Sequence, residues 1–146
     1  MTMGHSRAFV EACLRRAEKA LRASKTLLAD GELEDAVSRA YYAMYHAVQG
    51  LLGLHGLRVK SHKGALALFG QRIVKGGIME ERFAQALHKA FNARQKGDYE
   101  VFAEFEEESV RELIREAEAF VERVKELIGS EGSTSSQGMA GRCAAV

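Results

Sequence analysis

The chain has 146 residues, 47% of them hydrophobic and 28% charged, with a formal net charge of +1. That length suits one domain around a single core, and the balance excludes a disordered or fibrous protein. No apolar run reaches the roughly 18 residues of a membrane span, MTMGHSRAF lacks the apolar stretch of a signal peptide, and Cys13 and Cys143 make no disulfide framework, so the expected location is cytoplasmic.

The sequence contains no proline, which suits long uninterrupted helices. Apolar spacing predicts a first helix over about 5–29, with Phe9, Cys13, Ala17, Ala20, Leu21, Ser24 and Leu28 on one stripe. Asp30-Gly31 ends it. The second runs over about 33–54 and stops at Gly53 and Gly56. A short third helix fits 62–74, with Ser61 as its N-cap and Lys75-Gly76-Gly77 after it. A fourth is predicted over about 80–95, with Phe83, Leu87 and Phe91 inward. The last is predicted over about 100–128, with Phe102, Phe105, Val110, Leu113, Phe120 and Val124 inward. No strand pattern is present and the spacers are short. An all-α, up-and-down antiparallel bundle of four to five helices follows, occupying residues 1–129. Residues 130–146 are Gly/Ser-rich without a periodic face, and a disordered tail is expected there.

The near-zero net charge conceals two opposed segments. Residues 58–96 hold nine Lys/Arg against Glu80 and Glu81, whereas 97–131 hold twelve acids against four bases. Two readings stand: the segments neutralise each other inside the bundle, or the basic one meets an anion such as phosphate. The second helix, SRAYYAMYHAVQGLL at 38–52, is apolar or aromatic almost all round. A second face carries Arg39, Tyr42, Tyr45, His46 and Gln49. These groups either satisfy one another between helices or form a wall on which bases stack while Arg39 holds a phosphate. Ser61-His62-Lys63-Gly64 is a capped helix start whose amides, with Lys60 and Lys63, are also open to an anion. The five histidines show no i, i+4 pairing and no Cys/His cluster exists, so neither a metal nor a cofactor is expected.

Three pieces in order, SRAYYAMYHAVQGLL, SHKGALALFGQRIVKGG and FNARQKGDYE, resemble the HEPN domain (higher eukaryotes and prokaryotes nucleotide-binding), and its branch of small prokaryotic proteins with an Arg…Asp-Tyr motif. The resemblance covers about residues 8–128. It implies a dimerising helical bundle that binds nucleotide or RNA, partnered with a small nucleotidyltransferase in a toxin–antitoxin-like pair. Many HEPN proteins are metal-independent endoribonucleases marked by an arginine followed, after four to six residues, by a histidine. The arginine forks onto the scissile phosphate and the histidine exchanges protons during attack by the ribose 2′-hydroxyl. Here Arg94 is followed at those distances by Tyr99, Glu100 and Val101, and no histidine comes later. A tyrosine, with a reference pKa near 10, is a poor base at neutral pH. Arg94 and Tyr99 are the catalytic candidates if cleavage occurs; Arg94, Asp98, Tyr99, Arg39, Tyr42, His46, His62 and Lys63 are the binding candidates. A structural reading competes, in which Asp98 caps the last helix and pairs with Arg94. Three functional outcomes are therefore carried forward: a binding module, an endoribonuclease, and a structural dimeric adaptor without ligand. A homodimer is expected because the second and fifth helices offer more apolar surface than one small bundle covers.

Overall fold

The computed structural model describes residues 3–137, with side chains from 7 to 129. Five α-helices follow one another: α1 (Met3–Ala29), α2 (Leu33–Leu54), α3 (His62–Leu68), α4 (Glu81–Tyr99) and α5 (Glu107–Gln137). Among the described residues there is no strand, and the all-α antiparallel bundle expected from spacing is the observed architecture. The turn between α1 and α2 is tight because Gly31 adopts a φ of 80°, a conformation that side chains with a Cβ resist. The segment 62–74 is helical throughout, its second half (Phe69–Val74) wound as a π-helix.

Helix α2 is the hub, packed against α1, α4 and α5. Its buried side includes Ala36, Ala40, Ala43 and Ala47, which face an α1 stripe holding Ala17 and Ala20. Small residues on both helices let the backbones approach closely. Gly50 marks one close approach: a Cβ there would lie 3.2 Å from the Cys13 Cβ. The opposite end of the core is aromatic. Phe120 of α5 meets Phe69 at 5.7 Å and Phe83 of α4 at 5.8 Å between ring centroids. The apolar surface assigned from sequence to α2 and α5 is thus absorbed inside one chain, with Tyr41, Met44, Leu51 and Phe120 fully buried.

The junction between α4 and α5 differs from expectation. Gly97 does not break α4, which runs on to Tyr99, and α5 starts at Glu107 rather than near 100. Asp98 is therefore a residue of the last turn of α4, not the cap of α5. The physical reason is Phe105. Its ring folds back onto Gly97, where a Cβ would come within 3.4 Å of the ring carbons. Anchoring Phe105 there keeps 100–106 out of helix and leaves Val101 and Phe102 exposed, so Phe102 is not the core residue that its spacing suggested. At its far end α5 passes the expected boundary at 129 and continues as backbone helix to Gln137. The remainder of the expected tail, 138–146, lies outside the described residues.

Candidate functional site

The second face of α2 meets the last turns of α4 and the first turn of α3. Arg39, Tyr42, His46 and Gln49 recur at helical spacing along that face, with Tyr45 beside them. The Tyr42 ring is shared by two cations: the Arg39 guanidinium lies 4.8 Å from its centroid and the Arg94 guanidinium, reaching across from α4, lies 5.2 Å away. Arg94 is also 5.5 Å from the Tyr41 ring. Such contacts suit the negative face of an aromatic ring, yet they leave the cationic charge in place.

Asp98 is the only carboxylate paired with either guanidinium among the described residues, its Oδ2 3.0 Å from Arg94 Nε. Their angle falls short of a hydrogen bond, and the buried Nε keeps no hydrogen-bond partner. The contact is coulombic, and one acid faces two bases. The Arg94 side chain is 21% exposed, so it is held by its surroundings while still reachable from solvent.

His62 enters from the start of α3, which Ser61 caps by accepting a hydrogen bond from the Gly64 amide at 3.0 Å. That cap satisfies the amide that an anion would need there, and it fixes where His62 projects. The imidazole stacks on Tyr45 with centroids 4.1 Å apart and planes 13° from parallel. Its Nδ1 lies 2.7 Å from the Tyr41 hydroxyl. The Tyr45 hydroxyl in turn accepts a hydrogen bond from Gln49 Nε2 at 3.2 Å.

The proton on the Tyr41–His62 bond is settled by satisfaction. Tyr41 is fully buried and His62 is its hydroxyl's only partner among the described residues. If Nδ1 carried the hydrogen, the buried Tyr41 O–H would have no acceptor, at a cost of about 1–3 kcal/mol. Tyr41 therefore donates, Nδ1 accepts, and the ring hydrogen sits on Nε2. Burial pushes the Tyr41 pKa well above its usual value, which keeps the donor protonated. His62 is shifted down from its ordinary value by burial and by the nearby Arg94 charge, so the neutral ring is favoured. His46 is pushed down to about 4, chiefly by burial, then by Arg16, Arg39 and His62. Its Nδ1 is buried without a partner.

The fold thus gathers Arg94, Asp98, Arg39, Tyr42, His46 and His62 into one cluster. It leaves two candidates outside. Tyr99 is 79% exposed at the end of α4, and Lys63 is exposed on α3 without a polar partner among the described residues. The structural part played by Tyr41 was not anticipated, because it falls on the core stripe. A signal existed: a tyrosine at a core position needs a partner for its hydroxyl, and His62 is the partner.

The opposed charge segments neutralise each other only in part. Lys89 reaches Glu116 of α5 at 3.5 Å, whereas Arg123 of the acidic segment takes Glu80 of the basic one through both carboxylate oxygens, at 3.0 and 3.1 Å, a pair that leaves the opposed excess charges untouched. Other acids of α5 are spent on Arg111, Arg115 and Lys25. Among the described residues Arg39, Arg58, Lys60 and Lys63 make no ion pair.

Comparison with known proteins agrees with this fold. The family profile for the HEPN domain matches residues 10–127. The chain belongs to the HEPN-domain family. This HEPN domain is 37% identical over 126 residues to a UPF0332 protein of Thermotoga maritima, covering 86% of this chain and 96% of that protein. It is 38% identical over 119 residues to a Methanocaldococcus jannaschii protein named "Putative toxin MJ0605", covering 82% of this chain and 88% of that protein. An Archaeoglobus fulgidus UPF0332 protein is 29% identical over 119 residues, covering 82% and 94%. No helix among the described residues of this HEPN domain is long and apolar enough to cross a membrane.

Proposed function

We propose that this HEPN domain binds RNA or a nucleotide through its phosphate at the Arg94–Arg39–His62 cluster. It would do so as the HEPN partner of a small nucleotidyltransferase in a toxin–antitoxin-like pair, acting as a cytoplasmic homodimer. The observation that carries the reading is the charge count around Tyr42: two guanidinium groups share one ring, with Asp98 as the only paired carboxylate. A phosphate would supply the missing negative charge through forked hydrogen bonds from arginine. The His62 Nε2–H adds a neutral donor, and Tyr42 a ring on which a base stacks. That two Methanocaldococcus jannaschii relatives carry the name "Putative toxin" supports the pairing with an antitoxin.

The same proton placement removes His62 as the base of a cleavage reaction. Attack by a ribose 2′-hydroxyl requires a base with a free lone pair, and both His62 nitrogens are committed, Nδ1 to Tyr41 and Nε2 to its own hydrogen. The test is Arg94→Ala. Affinity for single-stranded RNA should fall by about 1–3 kcal/mol, the scale of a charge-assisted contact. The melting temperature should fall modestly, since the variant loses an i, i+4 pair of about 0.3–0.5 kcal/mol and contacts with the Tyr41 and Tyr42 rings of about 0.5–1 kcal/mol each. Purified protein should leave the RNA intact at neutral pH without metal. Unchanged binding in the variant would refute the assignment of the site, and Arg94-dependent cleavage would establish the nuclease reading instead.

A further inference from the structure

The face of α2 that carries Arg39, Tyr42, His46 and Gln49 does not end there. At the same helical spacing it continues to Gly53, on which Phe9 of α1 sits: a Cβ at Gly53 would lie 2.7 Å from the Phe9 ring. Beyond Gly53 the chain leaves α2 and passes through Leu57–Lys60 without regular structure. Between this stretch and α1 lies a cleft of about 450 Å³. Its walls include Phe9, Leu52 and Leu57, and its rim carries Gln49, Arg58 and Lys60.

Three features suit this cleft to one kind of occupant. Its volume falls within the range of about 300–1,000 Å³ typical of small-molecule sites. The Arg58 guanidinium lies 3.8 Å over the Phe9 ring, presenting a planar cation already seated on an aromatic ring. Nucleobases stack on such planes as readily as on aromatic rings. Arg58 and Lys60 make no ion pair among the described residues, so the rim has charge to spare for a phosphate. Gln49 joins the cleft to the cluster already described. It lines the rim and also donates to Tyr45, the ring on which His62 stacks. From Arg39 to Gln49 along α2 is about 15 Å, the length of a short single strand rather than of one nucleotide.

We infer that the Phe9–Arg58 cleft is a second base-and-phosphate subsite, taking a nucleotide further along the strand from the one held at Arg94 and laying single-stranded RNA along the half-buried face of α2. The inference rests on the proposal that Arg94 marks a phosphate site. It adds that the ligand is an oligonucleotide.

The experiment measures binding of uridine monophosphate and of oligouridylates of increasing length to the full chain by calorimetry. The same series is run with Arg58→Ala, Lys60→Ala and Arg94→Ala, and each variant's melting temperature is recorded. Affinity should rise by about tenfold or more on passing from the mononucleotide to a short oligomer, the scale of one added stacked base. Lys60→Ala, which removes a charge without touching the Phe9 contact, should cut that gain, and Arg58→Ala should abolish it. Arg94→Ala should weaken every ligand, the mononucleotide included. Mononucleotide binding that depends on Arg94 with no gain from length would overturn the second subsite alone. So would a gain from length that survives both rim substitutions. Absence of binding by every ligand would overturn the subsite together with the phosphate site itself.

Discussion

Tyr41 and His62 form a pair in which a buried hydroxyl dictates the state of a half-exposed imidazole. Replacing Tyr41 with Phe removes the only partner of Nδ1 among the described residues while keeping the ring that packs against Phe91 at 5.7 Å. Long-range ¹⁵N–¹H spectra should show a single Nε2–H tautomer for His62 in the wild type and a mixture in Tyr41→Phe. A wild-type signal for Nδ1–H would mean that the donor assignment is reversed. His46 offers a second test at this scale. Its folded pKa is about 4, below the ordinary value of 6.5, because burial and neighbouring cations disfavour the charged ring. The unfolded chain then binds more protons between those two values, so stability rises with pH across that window. The contribution is complete above about 6.5 and is lost as pH falls towards 4. The full shift corresponds to about 3 kcal/mol, reduced to about 1–2 by partial exposure. Urea midpoints at pH 4.5 and 7 should diverge less for His46→Gln than for the wild type. Equal divergence would assign the acid sensitivity to other groups, His62 among them.

At the scale of elements, glycines separate propensity from packing. Exchanging a mid-helix glycine for alanine ordinarily stabilises by about 0.5–1 kcal/mol. Gly129 of α5 has nothing within 4 Å of a Cβ, so Gly129→Ala should show that gain in a melting curve. At Gly53 the added methyl would press on Phe9 at 2.7 Å. Crowding of that kind costs about 1–3 kcal/mol and should win, so Gly53→Ala melts lower than the wild type. A stabilised Gly53→Ala protein would show that Phe9 moves freely and that its seat on α2 is loose. The same distinction explains what the sequence revealed. The periods of α1 and α2 were legible because small and apolar residues recur on a face. Arg39, Tyr42 and His46 were legible as a group because they share a second face. The extension of α4 to Tyr99 was not, because Gly97 and Asp98 read locally as a stop and a cap. Only the long-range seat of Phe105 on Gly97 reveals otherwise. The union of Arg94 with Tyr42 and His62 likewise depends on how three helices cross, which no local period encodes.

For the whole molecule, the question is what covers the connection between α4 and α5. Val101 and Phe102 are 91% and 92% exposed, next to a Tyr99 that is 79% exposed. The rest of the large apolar side chains among the described residues are at least half covered, so there the patch is confined to one corner. It adjoins the last turn of α4, where Asp98 pairs with Arg94. A second copy docking there would bury the patch and bring two of the proposed phosphate sites towards one another, an arrangement consistent with the proposed homodimer. Three side chains do not make an interface of the usual 1,200–2,000 Å² or so, but two central aromatics with an aliphatic neighbour fit the role of anchors within one. Light scattering at micromolar concentration should therefore give about twice the 16.1 kDa of one chain. Val101→Ser with Phe102→Ser should shift that mass to the monomer without lowering the melting temperature of the monomeric bundle, since neither side chain touches the core. A wild-type monomer would remove the homodimer from the proposal. A dimer that survives both substitutions would move its interface elsewhere and leave the exposed corner for the proposed nucleotidyltransferase partner, a surface that the same double variant would then disrupt in a co-purification.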